Sequence, residues 1–141
     1  MDNISEERRS WNMSRIRSKD TSPEIRVRSF LHRSGFRFRL HAHNLPGSPD
    51  IVLPKYRTII FVHGCFWHRH AGCKFAYTPK SRVEFWRSKF KQNIERDKSI
   101  KKLLKNLGWN VLTIWECEAS DNSVLKSVVK VLEADKNALE R

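Results

Sequence analysis

Carboxylates are in short supply in this chain. Against 28 Lys and Arg stand 15 Asp and Glu, leaving a formal charge of +13. On so short a chain that excess repels itself unless a polyanion is nearby, and nucleic acid is the commonest such partner, bound with an affinity that falls steeply with salt. Long apolar runs are missing too: no window approaches the ~18 residues a membrane helix needs. The opening MDNISEERRSWNMSR has no apolar stretch of the kind a signal peptide carries. The expectation is a cytoplasmic protein with reduced thiols and no membrane partner. Cysteine is scarce and odd in number; Cys65, Cys73 and Cys117 cannot all pair as disulfides, which favours metal binding or inert buried thiols. Internal repeats and low-complexity tracts are also lacking. What remains fits one compact domain of 141 residues, 39% hydrophobic, with five Trp and eight Phe to build a core.

Residues 1–20 carry Arg8, Arg9, Arg15, Arg17 and Lys19 with Trp11, Met13 and Ile16 interspersed and no helical period. They read as a basic arm that orders on a partner, or as a solvated tail; residues 21–141 read as the single domain. Thr21-Ser22-Pro23-Glu24 predicts a helix start, with Val27, Phe30, Leu31 and Ser34 on one face and Gly35 as the stop. Phe36, Phe38 and Leu40 alternate with Arg37, Arg39 and His41 as in a half-buried strand. Leu45-Pro46-Gly47-Ser48-Pro49 turns into a strand over 50–53, and Pro54 to Arg57 turns again into an apolar strand over 58–62, an antiparallel hairpin. A long His- and Cys-rich loop covers 63–80. Ser81-Arg82-Val83-Glu84 reads as a capping box opening a long helix to Leu107, with Gly108 as its stop. A strand over 109–115 and an amphipathic helix over roughly 122–139 complete the order αβββαβα, an α/β fold with a mixed sheet flanked by helices.

Two constellations carry chemistry. Cys65-x4-His70-x2-Cys73, joined by Cys117 from the end of the last strand, supplies three thiolates and one imidazole, a full tetrahedral set for a structural Zn²⁺. Cys73 and Cys117 could instead be plain buried thiols, although the cluster uses every cysteine in the chain. The second is Pro49-Asp50 at a strand start, followed after a hairpin by a strand ending in Val62-His63. It resembles the metal-binding hairpin of the PD-(D/E)xK nucleases, the restriction-endonuclease-like fold. Mg²⁺ requires oxygen ligands, so Asp50 is the natural anchor. The chain departs from that pattern, because neither an acid nor a lysine follows Ile60-Phe61-Val62; His63 and His68 stand there instead.

The run FVHGCFWHRHAGC at 61–73 closely resembles the very-short-patch repair endonucleases, the Vsr proteins. The resemblance includes Asn12-Met13, Thr21 to Glu24, Leu45 to Asp50, Glu84-Phe85-Trp86, Asn93 to Asp97, Leu107-Gly108-Trp109 and LTIWEC at 112–117. One departure is Ala71-Gly72 between His70 and Cys73. The resemblance implies a bacterial, nucleoid-associated DNA mismatch endonuclease acting as a monomer with catalytic Mg²⁺ and structural Zn²⁺. It would nick one strand of double-stranded DNA 5′ to the T of a T:G mismatch left by 5-methylcytosine deamination, with mismatch-repair factors as candidate partners.

Carried onto this chain, the resemblance makes Asp50 and the backbone carbonyl of Val62 ligands of Mg²⁺. His68 becomes the general base or acid at the scissile phosphate, with His63 and Glu24 beside it orienting water or phosphate. Asn93 and Asp97, four apart and so on one helix face, fall near the active site and the DNA; a surface network is the alternative. Phe66, Trp67 and Trp86 become a wedge that unstacks the mismatched pair, where unstacking costs least, helped by Met13. As ordinary core aromatics they would need no such role, and Trp86, near Phe90 at helical spacing, is the most open to that reading. Two other functions fit part of the pattern. A zinc-stabilised DNA-binding module explains the charge and the cysteines but not Asp50 with His63 and His68; a restriction-type endonuclease would cut both strands of matched duplex.

Overall fold

The computed structural model describes residues 21–139, with side chains as far as Ala134. The proposed arm over 1–20 and its Met13 lie outside the described residues. Helix α1 spans Ser22–Arg33, and Thr21 caps it, its hydroxyl accepting from the Glu24 amide at 3.4 Å. Three short strands follow, β1 (Arg39–Leu40), β2 (Ile51–Leu53) and β3 (Thr58–His63). After a loop come α2 (Val83–Asn106), β4 (Asn110–Trp115) and α3 (Asn122–Leu139). The strands lie in the order β1-β2-β3-β4; β1, β2 and β3 are antiparallel to one another in turn, and β4 runs parallel to β3. The expected mixed sheet flanked by helices is therefore the observed one. Among the described residues no helix is long and apolar enough to cross a membrane.

The period of two along the strands divides the core. Ile51, Leu53, Ile60 and Ile114 pack with Val27 and Leu31 of α1 and Leu125, Val128 and Leu132 of α3. Val52, Ile59 and Phe61 point to the other face, where Leu104 and Ile100 of α2 meet them. Both faces of β2 and β3 are thus buried, which is why their sequences read as continuous apolar runs rather than alternating ones. Gly47 fastens the loop before β2 to α2: a Cβ there would lie 2.6 Å from Cγ2 of Ile100, and its φ of 77° is one that side chains rarely adopt.

Two local expectations are corrected. The strand read over Phe36–His41 shrinks to Arg39–Leu40, with Leu40 exposed; Phe36 is buried before the strand begins, against Tyr56 at 5.3 Å between ring centroids. Only two residue pairs connect β1 to β2, so tertiary packing of one aromatic outweighs the alternating pattern. The capping box over Ser81–Glu84 does not form. The residue before α2 is Arg82, in the left-handed conformation with no side-chain cap, and the Glu84 carboxylate accepts from Arg87 at 3.1 Å instead.

Candidate active site and metal centre

The parallel pairing of β3 with β4 sets His63 opposite Trp115 at the edge of the sheet where both strands end. From that edge the chain enters the loop that carries most of the predicted chemistry. Three clusters of ligating groups gather there: Cys65, His70, Cys73 and Cys117; His63, His68 and Asp97; and Glu24, His41 and Asp50, the ligand atoms of each within 4.8 Å of one another. Members of all three line one cleft of about 1470 Å³, with Arg69, Arg96, Lys98 and Lys101 also in its walls.

The cysteine corner is assembled from both strand ends. Cys65, Cys73 and His70 come from the loop after β3, and Cys117 from the turn after β4. His70 Nδ1 lies 3.7 Å from Cys65 Sγ and 3.4 Å from Cys117 Sγ. Tetrahedral Zn²⁺, with bonds of ~2.3 Å to sulfur and ~2.0 Å to nitrogen, separates such ligands by about 3.6 Å, so the donor set and its spacing fit that ion. The surroundings brace the corner. The His70 ring stacks on Trp115 at 4.3 Å, and Glu116 Oε1 accepts from the Cys65 amide at 3.2 Å. Burial raises the Cys65 thiol above its ordinary range, whereas a hydrogen bond from the Phe75 backbone lowers Cys73.

The histidine cluster is built on the neighbouring residue. His68 Nδ1 donates to Asp97 Oδ2 at 2.7 Å, which fixes the tautomer and leaves Nε2 as the free nitrogen. The His63 ring stacks face to face on His68, 3.9 Å between centroids and 7° between planes. Burial, and then the neighbouring His68, push His63 down to about 4, so it is neutral at physiological pH. Asn93, one turn before Asp97 on α2, donates to the Trp67 carbonyl at 3.0 Å. Asn93 and Asp97 do share one face, as expected, and in this structure they hold the backbone and the imidazole of successive loop residues.

Asp50 sits where the β2–β3 hairpin stops pairing. Its Oδ2 accepts from the Val62 amide at 2.7 Å, taking the place of the next ladder bond. Burial, opposed by that hydrogen bond and reinforced by the adjacent Glu24, pushes Asp50 up to about 6. The field of His68 acts on the same carboxylate, which puts the two groups on one side of the molecule. Glu24 is buried at the start of α1, and its Oε2 lies 3.8 Å from His41 Nε2.

The predicted wedge residues form one aromatic cluster. Phe66 meets Trp67, Trp86 and Phe90 edge to face at 5.1–5.5 Å, and Trp86 is 3% exposed. Among the described residues nothing hydrogen-bonds to the buried Trp86 Nε1.

The family model for the DNA mismatch endonuclease Vsr matches residues 1–74. The chain is also 47% identical over 109 residues to the DNA mismatch endonuclease Vsr of Escherichia coli (strain K12), covering 77% of this chain and 69% of that protein. This chain belongs to the Vsr family. It is 49% identical over 126 residues to the type II nicking enzyme V.XorIIP of Xanthomonas oryzae pv. oryzae, covering 89% of this chain and 92% of that protein. To the type II nicking enzyme V.HpaIIP of Haemophilus parainfluenzae it is 33% identical, over 100% of this chain and 98% of the relative. Membership makes the chain a DNA endonuclease of the mismatch class, and the likeness carried by residues 61–73 is a true one.

For this Vsr family member, the structure also brings in residues that sequence reasoning passed over. Arg69 adopts a left-handed φ of 58°, which turns His68 and His70 toward different clusters. Its guanidinium lies 3.9 Å from the Phe90 ring and donates to the Tyr77 carbonyl at 2.9 Å. Trp115 lies between His70 and His63, and nothing in a β-rich run advertises that. His41 was legible: Leu40 pairs with Ile51, so the next residue along β1 falls beside Asp50.

Proposed function

We propose that this protein nicks one strand of duplex DNA 5′ to the T of a T:G mismatch, using Mg²⁺ bound at Asp50 and a structural Zn²⁺ in the cysteine corner. What carries the reading is the convergence of Asp50 and the His68–Asp97 pair on a single cleft with cationic walls. Relatives named nicking enzymes support a single-strand cut.

Asp50 offers a carboxylate at the point where the strand ladder ends. A strand residue directs its N–H and C=O toward the same edge, so the Val62 carbonyl faces the side on which its amide meets Asp50. Those two oxygens are the proposed ligands. The bound ion would supply charge neutralisation at the phosphate oxygens and a lowered pKa for coordinated water. His68 moves the proton at Nε2, while Asp97 holds the ring in the donor tautomer and stabilises it when charged. His63 stays neutral and stacked, so it shields one face of His68 without competing for the proton. Water adds to phosphorus as the bridging P–O bond breaks, and His68 takes a proton from the water or gives one to the departing oxygen. Arg69, Arg96, Lys98 and Lys101 line the same cleft, where they can meet neighbouring phosphates.

Phe66, Trp67 and Trp86 remain the proposed wedge. Their closed packing has to open for any of them to enter a base stack. The orphan Trp86 N–H, worth about 1–3 kcal/mol of unmet hydrogen bonding, makes the closed cluster less stable than its area suggests. A mispaired step is the cheapest place to insert.

The test is a panel of labelled duplexes carrying T:G, other mismatches or none, incubated with Mg²⁺ and resolved on denaturing gels. The expected product is a nick 5′ to the mismatched T in one strand. Binding without cleavage of any duplex, or a double-strand break in matched DNA, overturns the proposal.

A further inference from the structure

The cation site proposed above contains more than oxygen. His41 Nε2 lies 3.8 Å from Glu24 Oε2, and the ligand atoms of Glu24, His41 and Asp50 all fall within 4.8 Å of one another. A separation of 3.8 Å is too long for a hydrogen bond. It falls between the about 3.0 Å of neighbouring donors and the about 4.2 Å of opposite ones on an ion with bonds of ~2.1 Å, so a shift of under 1 Å would seat both groups on one cation. The side chain that supplies the imidazole is held there by its backbone. His41 has a φ of 48°, a conformation uncommon for non-glycine residues, and its amide donates to the Asp50 carbonyl at 3.2 Å. Strained positions of this kind cluster at ligand sites. Both His41 and Glu24 are largely enclosed, with side-chain exposures of 18% and 5%, so neither is simply a solvated surface group.

We propose that His41, together with Glu24, joins Asp50 as a protein ligand of this cation site, and that its imidazole tunes the site toward divalent ions of the first transition row, Mn²⁺ among them, over Mg²⁺. The inference rests on the cleft being the metal-binding centre of the nuclease. Its chemical basis is that Mg²⁺ takes oxygen ligands and sheds water reluctantly, whereas divalent ions of the first transition row bind imidazole with an affinity that rises from Mn²⁺ to Cu²⁺; Mn²⁺, the weakest of them, is the strictest probe. Two carboxylates alone would hold either ion; adding a neutral imidazole raises affinity for Mn²⁺ without a matching gain for Mg²⁺. Cys65, His70, Cys73 and Cys117 form a separate, thiolate-rich set that does not share donors with this one.

The experiment is a Mn²⁺ titration of zinc-loaded protein, following loss of the free-ion electron paramagnetic resonance signal, with Mg²⁺ as competitor. His41→Asn is the variant of choice, because asparagine tolerates positive φ and its side chain is too short to reach the ion. The wild-type protein is expected to bind Mn²⁺ at least tenfold more tightly than His41→Asn, with Mg²⁺ affinity changed less than twofold. A Mn²⁺ affinity within twofold of wild type in His41→Asn, in folded protein that retains its zinc, overturns the role of His41. The reading of the cleft fails separately, if Asp50→Asn binds Mn²⁺ as wild type does and still nicks DNA.

Discussion

The cysteine corner and the Asp50–His68 cleft grow from the same loop, and they are opposites in how their polar groups are satisfied. In the corner, three thiols and an imidazole face one another at ligand distances, braced by a stacked tryptophan and a carboxylate on a backbone amide. In the cleft, burial makes charge costly for a carboxylate and an imidazole, Asp50 pushed up to about 6 and His63 down to about 4. The first arrangement lowers the energy of the fold once a cation arrives. The second raises the energy of the free protein and leaves its groups ready to interact with a cation, water and phosphate. Closure marks structure, and stored electrostatic frustration marks reactivity.

Removing Asp50 should separate the two most sharply. Asp50→Asn is expected to reduce nicking at least a thousandfold while leaving zinc content unchanged, as measured by single-turnover cleavage and metal analysis. His68→Ala should cost a factor of about 10²–10⁴, the usual range for a general acid or base. Wild-type-like rates in either variant would break the contrast. The converse variant, Cys117→Ser, is expected to lower zinc occupancy and to depress the melting temperature by about 10 °C, as a loss of ~3 kcal/mol would in a domain of this size. Full occupancy in that variant would remove Cys117 from the corner.

The pH dependence of stability sharpens the comparison further. Burial raises Asp50 from 3.8 to about 6, so its contribution is fully present below 3.8 and lost as pH rises through 6. His63 is lowered from 6.5 to about 4, so its contribution is present above 6.5 and lost as pH falls toward 4. Each amounts to at most about 3 kcal/mol, and between pH 4 and 6 they oppose each other. In metal-free protein, Asp50→Asn should therefore become less stable on acidification across that window, and His63→Phe more stable. Parallel denaturation curves at pH 4.5 and 6.5 for both variants would refute the two shifts. The smallest effect expected is Trp86→Phe, which removes an unmet N–H and should change stability by no more than about 1 kcal/mol; a loss above 3 kcal/mol would show that the indole is well satisfied.

The architecture was legible because its signals are local. Thr21 before Ser22-Pro23-Glu24, the apolar runs of β2 and β3 and the period of α3 each state their own element. Failures came where a distant partner decides: Phe36 leaves the strand for Tyr56, and Glu84 forsakes the cap for Arg87. The site was legible in its ligand types, since Cys65, His70, Cys73 and Cys117 do converge. Its connections were not. No spacing announces that Asn93 reaches the Trp67 carbonyl, or that Trp115 joins His70 to His63, because those contacts depend on how α2 and β4 come to lie along β3.

The left-handed turn at Arg69 has a consequence for transplanting this chemistry. His68 and His70 differ by a single intervening residue, yet they serve separate clusters. No cut through the polypeptide can divide one centre from the other and leave both working. A designer grafting the proton-handling imidazole onto another sheet would have to import the sulfur-rich corner, its tryptophan bookend and the helix face behind it as one indivisible cassette.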